Sequence, residues 1–191
     1  MPYVTVAADI SGALKKFGMV EAEAKKAISR AMTKTATTAR AEAARVIKAE
    51  GYGVKIGLIK EALSIRRAAP DKLEAAVRAK GRPLALIHFG ARQTKKGVTA
   101  NVKHGRKLWP GAFIATVKNG HRGVFVHASG TQTGKRGHSI RNRRIIEKLG
   151  PSVPGMMRQR AVIEALERVL AARFPVALDQ ELNYLRSRGR V

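Results

Sequence analysis

The sequence predicts an α+β fold, in which a small and mostly antiparallel sheet packs with a long N-terminal helix and a Pro-interrupted C-terminal helix, with long basic loops. Three features lead to it: an Ala-rich segment over 20–50 without Gly or Pro, short β-rich runs in the middle, and a second helical segment near the end. Helices and strands in this order pack as layers around a core. We therefore expect a single domain over 1–191, helix-rich over 1–63, with strands and basic loops over 64–149 and C-terminal helices over 154–188.

The first part of the chain is dominated by one amphipathic helix. Over 20–50, apolar residues recur at helical spacing, and Gly51 supplies a C-terminal stop. Residues 3–8 are β-rich and predict a short strand ahead of this helix. Residues 54–63 suit a short helix that Gly57 weakens. Because the apolar face of the long helix is mostly alanine, a sheet or a second helix can approach it closely.

Two short strands are predicted over 64–69 and 73–79, on either side of a turn at Pro70 and Asp71. In the second of them apolar and polar residues alternate, which is typical of a strand with one buried face. Residues 84–89 form another short apolar run.

The clearest strand signal is a hairpin. Two β-rich runs, 110–117 and 124–127, flank the pair Asn119-Gly120. Asn-Gly between two such runs is the strongest short-range signal of a hairpin. The pair Ile145-Ile146 is expected to begin a last strand.

The C-terminal segment is helical by the same spacing argument. Pro175 has no backbone N–H, so we expect it to kink or split this segment after Phe174. The apolar stripe of the segment comprises Ile163, Leu166, Leu170, Ala177, Leu178, Leu182 and Leu185.

The composition excludes several classes of protein. The 191 residues include 38 Lys and Arg against 13 Asp and Glu, a formal net charge of +25, and 45% hydrophobic residues. A chain this apolar is not disordered, and a chain this basic attracts polyanions. The lack of Cys excludes disulfides, thiolate metal sites and a Cys nucleophile. The sequence shows no signal peptide and no membrane-spanning run, so we expect a soluble protein made in a cytoplasm, without a membrane partner.

The positive charge is concentrated in the middle of the chain. Between Glu74 and Glu147 there are 16 Lys and Arg and no acidic residue. Two basic stretches, 90–108 and 129–144, are poor in apolar residues, so we expect loops that a partner orders. The candidate contact residues are Arg92, Lys95, Lys96, Lys103, Arg106, Lys107, Lys135, Arg136, Arg141, Arg143 and Arg144.

The partner of these residues is either a phosphate backbone or an acidic protein surface, and the sequence does not separate the two. Few aromatic residues lie nearby and some are needed for the core, so a platform for stacking bases is not expected. Any contact with nucleic acid is therefore expected to be to the backbone, without sequence readout, and to weaken steeply as salt is added.

No catalytic or metal site is predicted. The five His include no i, i+4 pair on a predicted helix, and no carboxylate accompanies them locally. His121 and His127 flank the hairpin and are interpreted as an ordinary turn residue and strand residue. A nuclease needs clustered acids to hold metal ions, which the acid-free interval lacks. We expect a protein that is not an enzyme, with no cofactor and no small-molecule substrate.

The hairpin and the residues before it resemble a known family. The residues are Trp109-Pro110-Gly111-Ala112-Phe113-Ile114, followed by Val117-Lys118-Asn119-Gly120. They are similar to the central block of the minor tail protein Z family of long-tailed phages, where a basic loop also leads into a Pro-Gly-Ala-Phe run and a Lys-Asn-Gly turn. The Ala-rich helix upstream, the closing Arg173-Phe174-Pro175 segment and the chain length agree. The family-like structural block is Pro110, Gly111, Ala112, Phe113, Ile114, Lys118, Asn119 and Gly120.

The resemblance implies a structural minor tail protein that acts in tail completion and head-tail joining. It implies a place at the head-proximal end of the virion tail, synthesis in the host bacterial cytoplasm, contacts with other tail or neck proteins, and self-association in a ring of six copies. DNA passes along that axis, which would give the basic residues a polyanion to meet. The alternative, from charge alone, is a sequence-nonspecific nucleic-acid-binding protein.

Overall fold

The structure is a computed structural model that describes residues 3–7, 21–128, 131–133, 139–141 and 144–188. Its helices are α1 (Glu21–Ala49), α2 (Ile56–Ala62), α3 (Val153–Met157) and α4 (Arg160–Ser187), with a 3₁₀ helix at Leu86–Phe89. Its strands are β1 (Tyr3–Ala7), β2 (Leu63–Arg66), β3 (Glu74–Ala79), β4 (Arg92–Thr94), β5 (Gly97–Ala100), β6 (Lys107–Pro110), β7 (Phe113–Thr116), β8 (Arg122–His127), β9 (Thr131–Thr133), β10 (Ser139–Arg141) and β11 (Ile145–Glu147). Long helices together with short antiparallel strands confirm the predicted α+β class.

Within the described ranges the strands form four small antiparallel sheets. Their orders are β1-β3-β2, β4-β5-β6, β11-β8-β7 and β9-β10. In the same ranges, no helix is both long and apolar enough to cross a membrane.

The contacts of the chain group its residues into two compact units. The first unit comprises Met1–Ile47, Ile56–Gly81 and Val153–Val191, and the second comprises Lys48–Lys55 and Arg82–Ser152. The first unit thus holds the β1-β3-β2 sheet and nearly all the helical residues, and the second holds the other three sheets. The prediction of one domain over the whole chain stays a prediction.

The core of the first unit is built on the alanine face of α1. The long helix that the spacing predicts is confirmed, and Gly51 ends it with a φ of +83° and an N–H that donates to the Lys48 carbonyl at 3.2 Å. Ala27 packs against Leu182 and Leu185 of α4. The buried residues of α1 are Ala24, Ala27, Ile28, Ser29, Ala31, Met32, Thr35, Ala36, Ala39, Ala43, Ala44 and Ile47. Because most of them are small, the two helices can come close together.

A charged cluster joins α1 to α4 within this core. Glu181 of α4 is buried, and its carboxylate pairs with Lys34 and, at 3.8 Å, with Arg30, both on α1. A buried carboxylate is costly unless it is paired, so these two cations account for an acidic residue inside an apolar stripe. The remaining stripe agrees with the predicted one at Leu166, Ala177, Leu182 and Leu185, which are all buried.

The C-terminal segment is not split at Pro175, because α4 runs through the proline as one helix, and the alternative of a kink there stays a prediction. Pro175 removes only the N–H that would reach the carbonyl of Ala171. Both residues are exposed, so that carbonyl can accept a hydrogen bond from water instead.

The β1-β3-β2 sheet confirms the predicted strands on either side of Pro70 and Asp71. β2 and β3 are antiparallel with Ile65 opposite Val77, and β1 lies on the other side of β3. Ala75, Val77 and Ala79 are buried, as the alternation predicts, but Ala76 on the other face is buried as well, so the prediction of a single buried face is wrong at that residue. Arg40 of α1 donates from Nε to the carbonyl of Leu63 at 2.8 Å, which ties the helix to the end of β2.

The prediction of a loop over 90–108 is wrong for about half of its length. This stretch forms β4, β5 and the start of β6, a three-stranded antiparallel meander in which the turn at 95–96 and the loop at 101–106 connect the strands. Low hydrophobicity suggested a loop, but Val98 and Ala100 are fully buried and all the charged side chains except Lys103 lie at exposed positions. Thr94, Val98 and Thr99 are residues that favour strands, and their signal was outweighed by the charge.

The predicted hairpin is confirmed as β7 and β8, and the predicted last strand is β11, which pairs with β8. The turn is longer than a two-residue Asn-Gly turn. Val117 donates to the His121 carbonyl and Gly120 to the Val117 carbonyl, both at 2.9 Å, and Gly120 has a φ of +80°. This is a three-residue loop with a left-handed glycine, the next commonest kind of hairpin connection.

The core of the second unit centres on Phe89, whose side chain is fully buried. Leu86 donates to the Lys148 carbonyl and Gly150 to the Leu84 carbonyl, so the residues after β11 pair with those at and just before the start of the 3₁₀ helix. The short segment 48–55 is held by Gly53, whose N–H donates to the Asn101 carbonyl at 2.9 Å, while the Asn101 N–H donates to the Phe89 carbonyl at 2.9 Å.

Candidate nucleic-acid or acidic-partner surface

The second unit carries most of the excess positive charge. It contains seventeen Lys and Arg but only two acidic residues, Glu50 and Glu147. A surface with this balance produces a strong local field that attracts anions.

Both carboxylates of this unit are engaged within it. Glu50 pairs with Lys103 at 3.4 Å, and the Lys103 ammonium also lies 5.4 Å from the ring centroid of Tyr52. Glu147 Oε1 is hydrogen-bonded to His121 Nε2 at 2.7 Å. Both acids of the unit therefore already have a partner inside it.

The contact between His121 and Glu147 depends on a glycine. Glu147 lies opposite Phe125 in the β11–β8 register, and its side chain passes over Gly123 to reach His121. A Cβ at Gly123 would lie 2.5 Å from Glu147 Oε1, so a larger residue there would displace the carboxylate. His121, Gly123 and Phe125 are two residues apart along the chain, so they share one face of the sheet.

Sequence reasoning missed this pair. It found no carboxylate near the histidines because Glu147 is 26 residues from His121 along the chain. The signal was present in the predicted strand at Ile145, since pairing it with 124–127 brings the two together. His127 is not beside His121 in this arrangement, and its ring lies 5.1 Å from that of Phe113. Among the described residues no group of three His, Asp or Glu is placed to hold a metal ion.

Four of the predicted contact residues are exposed on the β4-β5-β6 sheet: Arg92 lies in β4, Lys95 and Lys96 in the β4–β5 turn, and Lys107 in β6. Lys118 in the β7–β8 turn and Arg122 at the start of β8 are exposed as well. Within the part of the chain that the structure describes, no carboxylate lies within ion-pair distance of these six side chains. They are therefore available to an external anion.

Two other predicted contact residues have structural roles. Lys103 holds Glu50, as described above. Arg106 donates from one guanidinium nitrogen to the Gly90 carbonyl at 2.7 Å and to the Thr99 carbonyl at 3.1 Å, which closes the β5–β6 loop over the sheet. Replacing either residue would disturb the unit itself, so neither is a clean probe of partner binding.

The second basic stretch is described only in part. Lys135, Arg136 and Arg143 lie outside the described residues, and of Arg141 the structure gives only the backbone, in β10. Arg144 is exposed just before β11, and its carbonyl accepts from the Ala128 N–H at 2.8 Å. Within the described residues β9 and β10 pair as antiparallel strands, with Ile140 opposite Gln132.

A groove runs between β4 and β7. Gln93 spans it, since its Oε1 accepts from the Ile114 N–H at 2.8 Å and its amide nitrogen donates to the Gly97 carbonyl at 3.2 Å. The groove has a volume of about 490 Å³ and is lined by Ala91, Arg92, Gln93, Ile114, Ala115, Thr116 and Arg122. Arg122 was part of the acid-free interval but was not among the predicted contact residues, because nothing in the sequence shows that it lines the same groove as Arg92.

The family-like block forms the junction between the two sheets of this groove. Pro110 ends β6, and Gly111 turns the chain with a φ of +65° while its N–H donates to the Lys96 carbonyl at 3.2 Å. Ala112 is buried, and Phe113 begins β7 with its ring 6.3 Å from that of Phe125. The rest of the block comprises Ile114 in β7 and Lys118, Asn119 and Gly120 in the following turn. The block thus positions β7 beside β4.

A protein-family model matches the chain. It is described as prophage minor tail protein Z (GPZ), and it covers residues 10–187, which is nearly the whole sequence. No curated protein and no solved structure matches the chain.

Proposed function

The chain belongs to the prophage minor tail protein Z family, and from that premise we propose that it acts in tail completion and head-tail joining, at the head-proximal end of the tail. The family is one of structural phage tail proteins, so the chain is a phage minor tail protein and its place is the virion tail. The proposed role is docking without catalysis. Its partners are other tail or neck proteins, further copies of the chain in a ring, and DNA along the axis.

The observation that carries the proposal is the unequal charge of the two units. The second unit has seventeen Lys and Arg against two Glu, and both Glu are engaged inside it. Repulsion among these charges costs stability in the isolated protein, and an anionic partner would relieve it. A chain that functions only when docked can carry such a surface.

A ring of copies is part of the proposal because tails are assembled around an axis. A ring forms when each copy presents one surface to the next and the rotation closes. The edge strand β11 carries exposed Ile145 and Ile146, and Leu149 beyond it is exposed too, which gives the second unit an apolar surface beside its basic one. Apolar groups of this size on an edge strand favour contact with another chain.

The function is tested by complementation of a phage whose copy of this gene carries a stop codon. We expect few joined particles from that phage, and full recovery when the wild-type chain is supplied from a plasmid. A K95E/K96E/K107E variant should restore at least about tenfold fewer particles, because like charges would then face the anionic partner. These three residues are exposed and make no ion pair among the described residues.

The matched control is K26E/K60E/R158E, which makes the same charge change at exposed positions of the first unit. Both variants are first compared with the wild type by circular dichroism and thermal unfolding. Recovery by the control alone supports docking through the second unit. Equal recovery by both variants would show that this surface is not used, and normal particle yield from the stop-codon phage would overturn the tail role.

The alternative function, sequence-nonspecific binding of nucleic acid, is favoured by the same basic unit. In the described part of that unit Tyr52, Phe89 and Phe125 are buried, and Trp109 and Phe113 are half-buried. Stacking on bases needs exposed aromatic rings, so only contact with phosphates and sugars remains. Strong binding of mixed-sequence DNA by a chain that never enters virions would favour this alternative.

A further inference from the structure

The groove between β4 and β7 has the donors of an oxyanion site. β7 is the edge strand of the β11-β8-β7 sheet, and its Ile114 N–H points away from β8 to Gln93 Oε1. Backbone groups alternate along a strand, so the N–H of Thr116 points to the same open edge. Thr116 also lines the groove, and Arg122 lies directly opposite it in the β7–β8 register. Thr116 and Arg122 therefore bring one hydroxyl, one guanidinium and one outward-pointing backbone N–H to the lining of this groove.

The second guanidinium comes from β4. Arg92 lines the same groove, next to Gln93, whose hydrogen bonds hold β4 at a fixed place beside β7. Neither Arg92 nor Arg122 has a carboxylate partner among the described residues. Glu147, the nearest acid in the chain to β8, is held by His121, which lies on the opposite face of β8 from Arg122 because the two are adjacent in the chain.

We propose that this groove, lined by Arg92 and Arg122 with Thr116 at its edge, binds a phosphate of the DNA backbone. The inference rests on the proposed function, since it assigns one partner of the second unit and the residues that hold it. Guanidinium groups bind phosphate through paired, charge-assisted hydrogen bonds, which Lys cannot reproduce. A backbone N–H beside them adds a fixed donor.

The arrangement of lysines favours a linear polyanion over a single carboxylate as the ligand of the groove. The Gly111 N–H donates to the Lys96 carbonyl, and Ile114 bonds to Gln93, so β4 and β7 run antiparallel along the groove. Lys95 and Lys96 therefore flank the end of the groove where β7 begins, and Lys118 follows Thr116 at the other end. A row of cations along a groove matches the regular phosphates of a DNA strand.

The test measures binding of a fluorescently labelled, mixed-sequence DNA duplex by anisotropy at several salt concentrations. For R92A/R122A we expect the Kd at moderate salt to rise about tenfold, and the slope of log affinity against log salt to fall by about one, for the one phosphate contact that is lost. R92K/R122K keeps the charge but loses the paired hydrogen bonds, so its Kd should lie between that of the wild type and that of R92A/R122A.

The control is R82A/R158A, which removes the same charge at two exposed arginines that do not line the groove. Its Kd should change less than about twofold, because salt screens the attraction between DNA and charges that lie away from the groove. Unchanged circular dichroism and thermal unfolding must accompany each variant. Equal losses of DNA affinity for the two double variants would overturn the groove as a phosphate site. Both losses would then come from the general attraction of DNA to a positively charged protein.

A second readout separates this inference from the proposed function. If R92A/R122A binds DNA normally but fails to restore joined particles from the stop-codon phage, the groove holds an acidic group of a neighbouring protein, and the DNA assignment is wrong. If the wild-type chain never enters tails, the proposed function is wrong, while the DNA measurement still tests whether the groove binds phosphate. The expected outcome is weakened DNA binding together with normal entry into tails.

Discussion

Replacement of Phe89 by alanine is expected to lower the free energy of unfolding by about 3–5 kcal/mol, the range for removing a large aromatic side chain from a core. Phe89 is fully buried, and it is among the largest side chains with no exposure. The 3₁₀ helix that carries it also meets the segment after β11, through the bond from Leu86 to Lys148. The loss is measured by denaturant unfolding followed by circular dichroism and intrinsic fluorescence.

The control for Phe89 uses its neighbour Gly150. A Cβ at Gly150 would lie 2.5 Å from the Phe89 ring, so Gly150→Ala alone is expected to cost about 1–3 kcal/mol by overpacking. In the Phe89→Ala background the ring is gone, and the same substitution should cost almost nothing. Additive losses in this double-mutant cycle would show that the two residues are not in contact.

Replacement of Gly97 by alanine is the second substitution with a large expected effect, a loss of about 3 kcal/mol in unfolding free energy. Gly97 has a φ of +145°, which residues with a Cβ rarely adopt. A Cβ there would also collide with the backbone carbonyl of Trp109, in the strand that pairs with β5. A backbone atom cannot rotate away as a flexible side chain can, so the β5–β6 pairing would have to open.

Gly105→Ala is the matched control for Gly97. Gly105 also has a positive φ, +107°, but an added Cβ would meet nothing within 4 Å. Its cost therefore measures backbone strain alone, about 1 kcal/mol. The difference between the two variants gives the contribution of the clash. If both lose the same stability, the close approach of β5 to Trp109 is wrong.

The parts of the fold that follow from local pattern were predictable from the sequence. Helical spacing of alanines located α1, the Asn119-Gly120 turn located the β7–β8 hairpin, and Pro70-Asp71 separated β2 from β3. Each of these signals lies within a few residues of the element it predicts. The family was also predictable, because Trp109 and the block after it keep the order and spacing of a recognisable pattern.

The errors arose where tertiary context overrides local composition. The stretch 90–108 is polar, yet it forms a meander because Val98 and Ala100 are buried from one face while most of its charges remain at exposed positions. Pro175 leaves α4 whole because the carbonyl that loses its helical donor belongs to Ala171, an exposed residue at which water can take the donor's place. In both cases the deciding quantity is exposure, which a single sequence does not give.

The roles of the residues on the candidate surface also depend on tertiary contacts that the sequence does not give. Charge counting located the basic interval, but it did not distinguish Lys103 and Arg106, which hold the unit together, from Arg92, which is available. It also did not place Arg122 in the same groove as Arg92, since they are thirty residues apart along the chain and line one groove only because β4 lies beside β7. The contact of His121 with Glu147 was missed for the same reason.

Quantitative mass spectrometry of gradient-purified virions, with labelled antibody to locate the chain by electron microscopy, tests the central claim most directly. We expect a fixed number of copies per particle, with the label where the tail meets the head, and the same copy number in purified tails. Particles that are infectious and complete but contain no copy of this chain would contradict its assignment as a structural component of the tail.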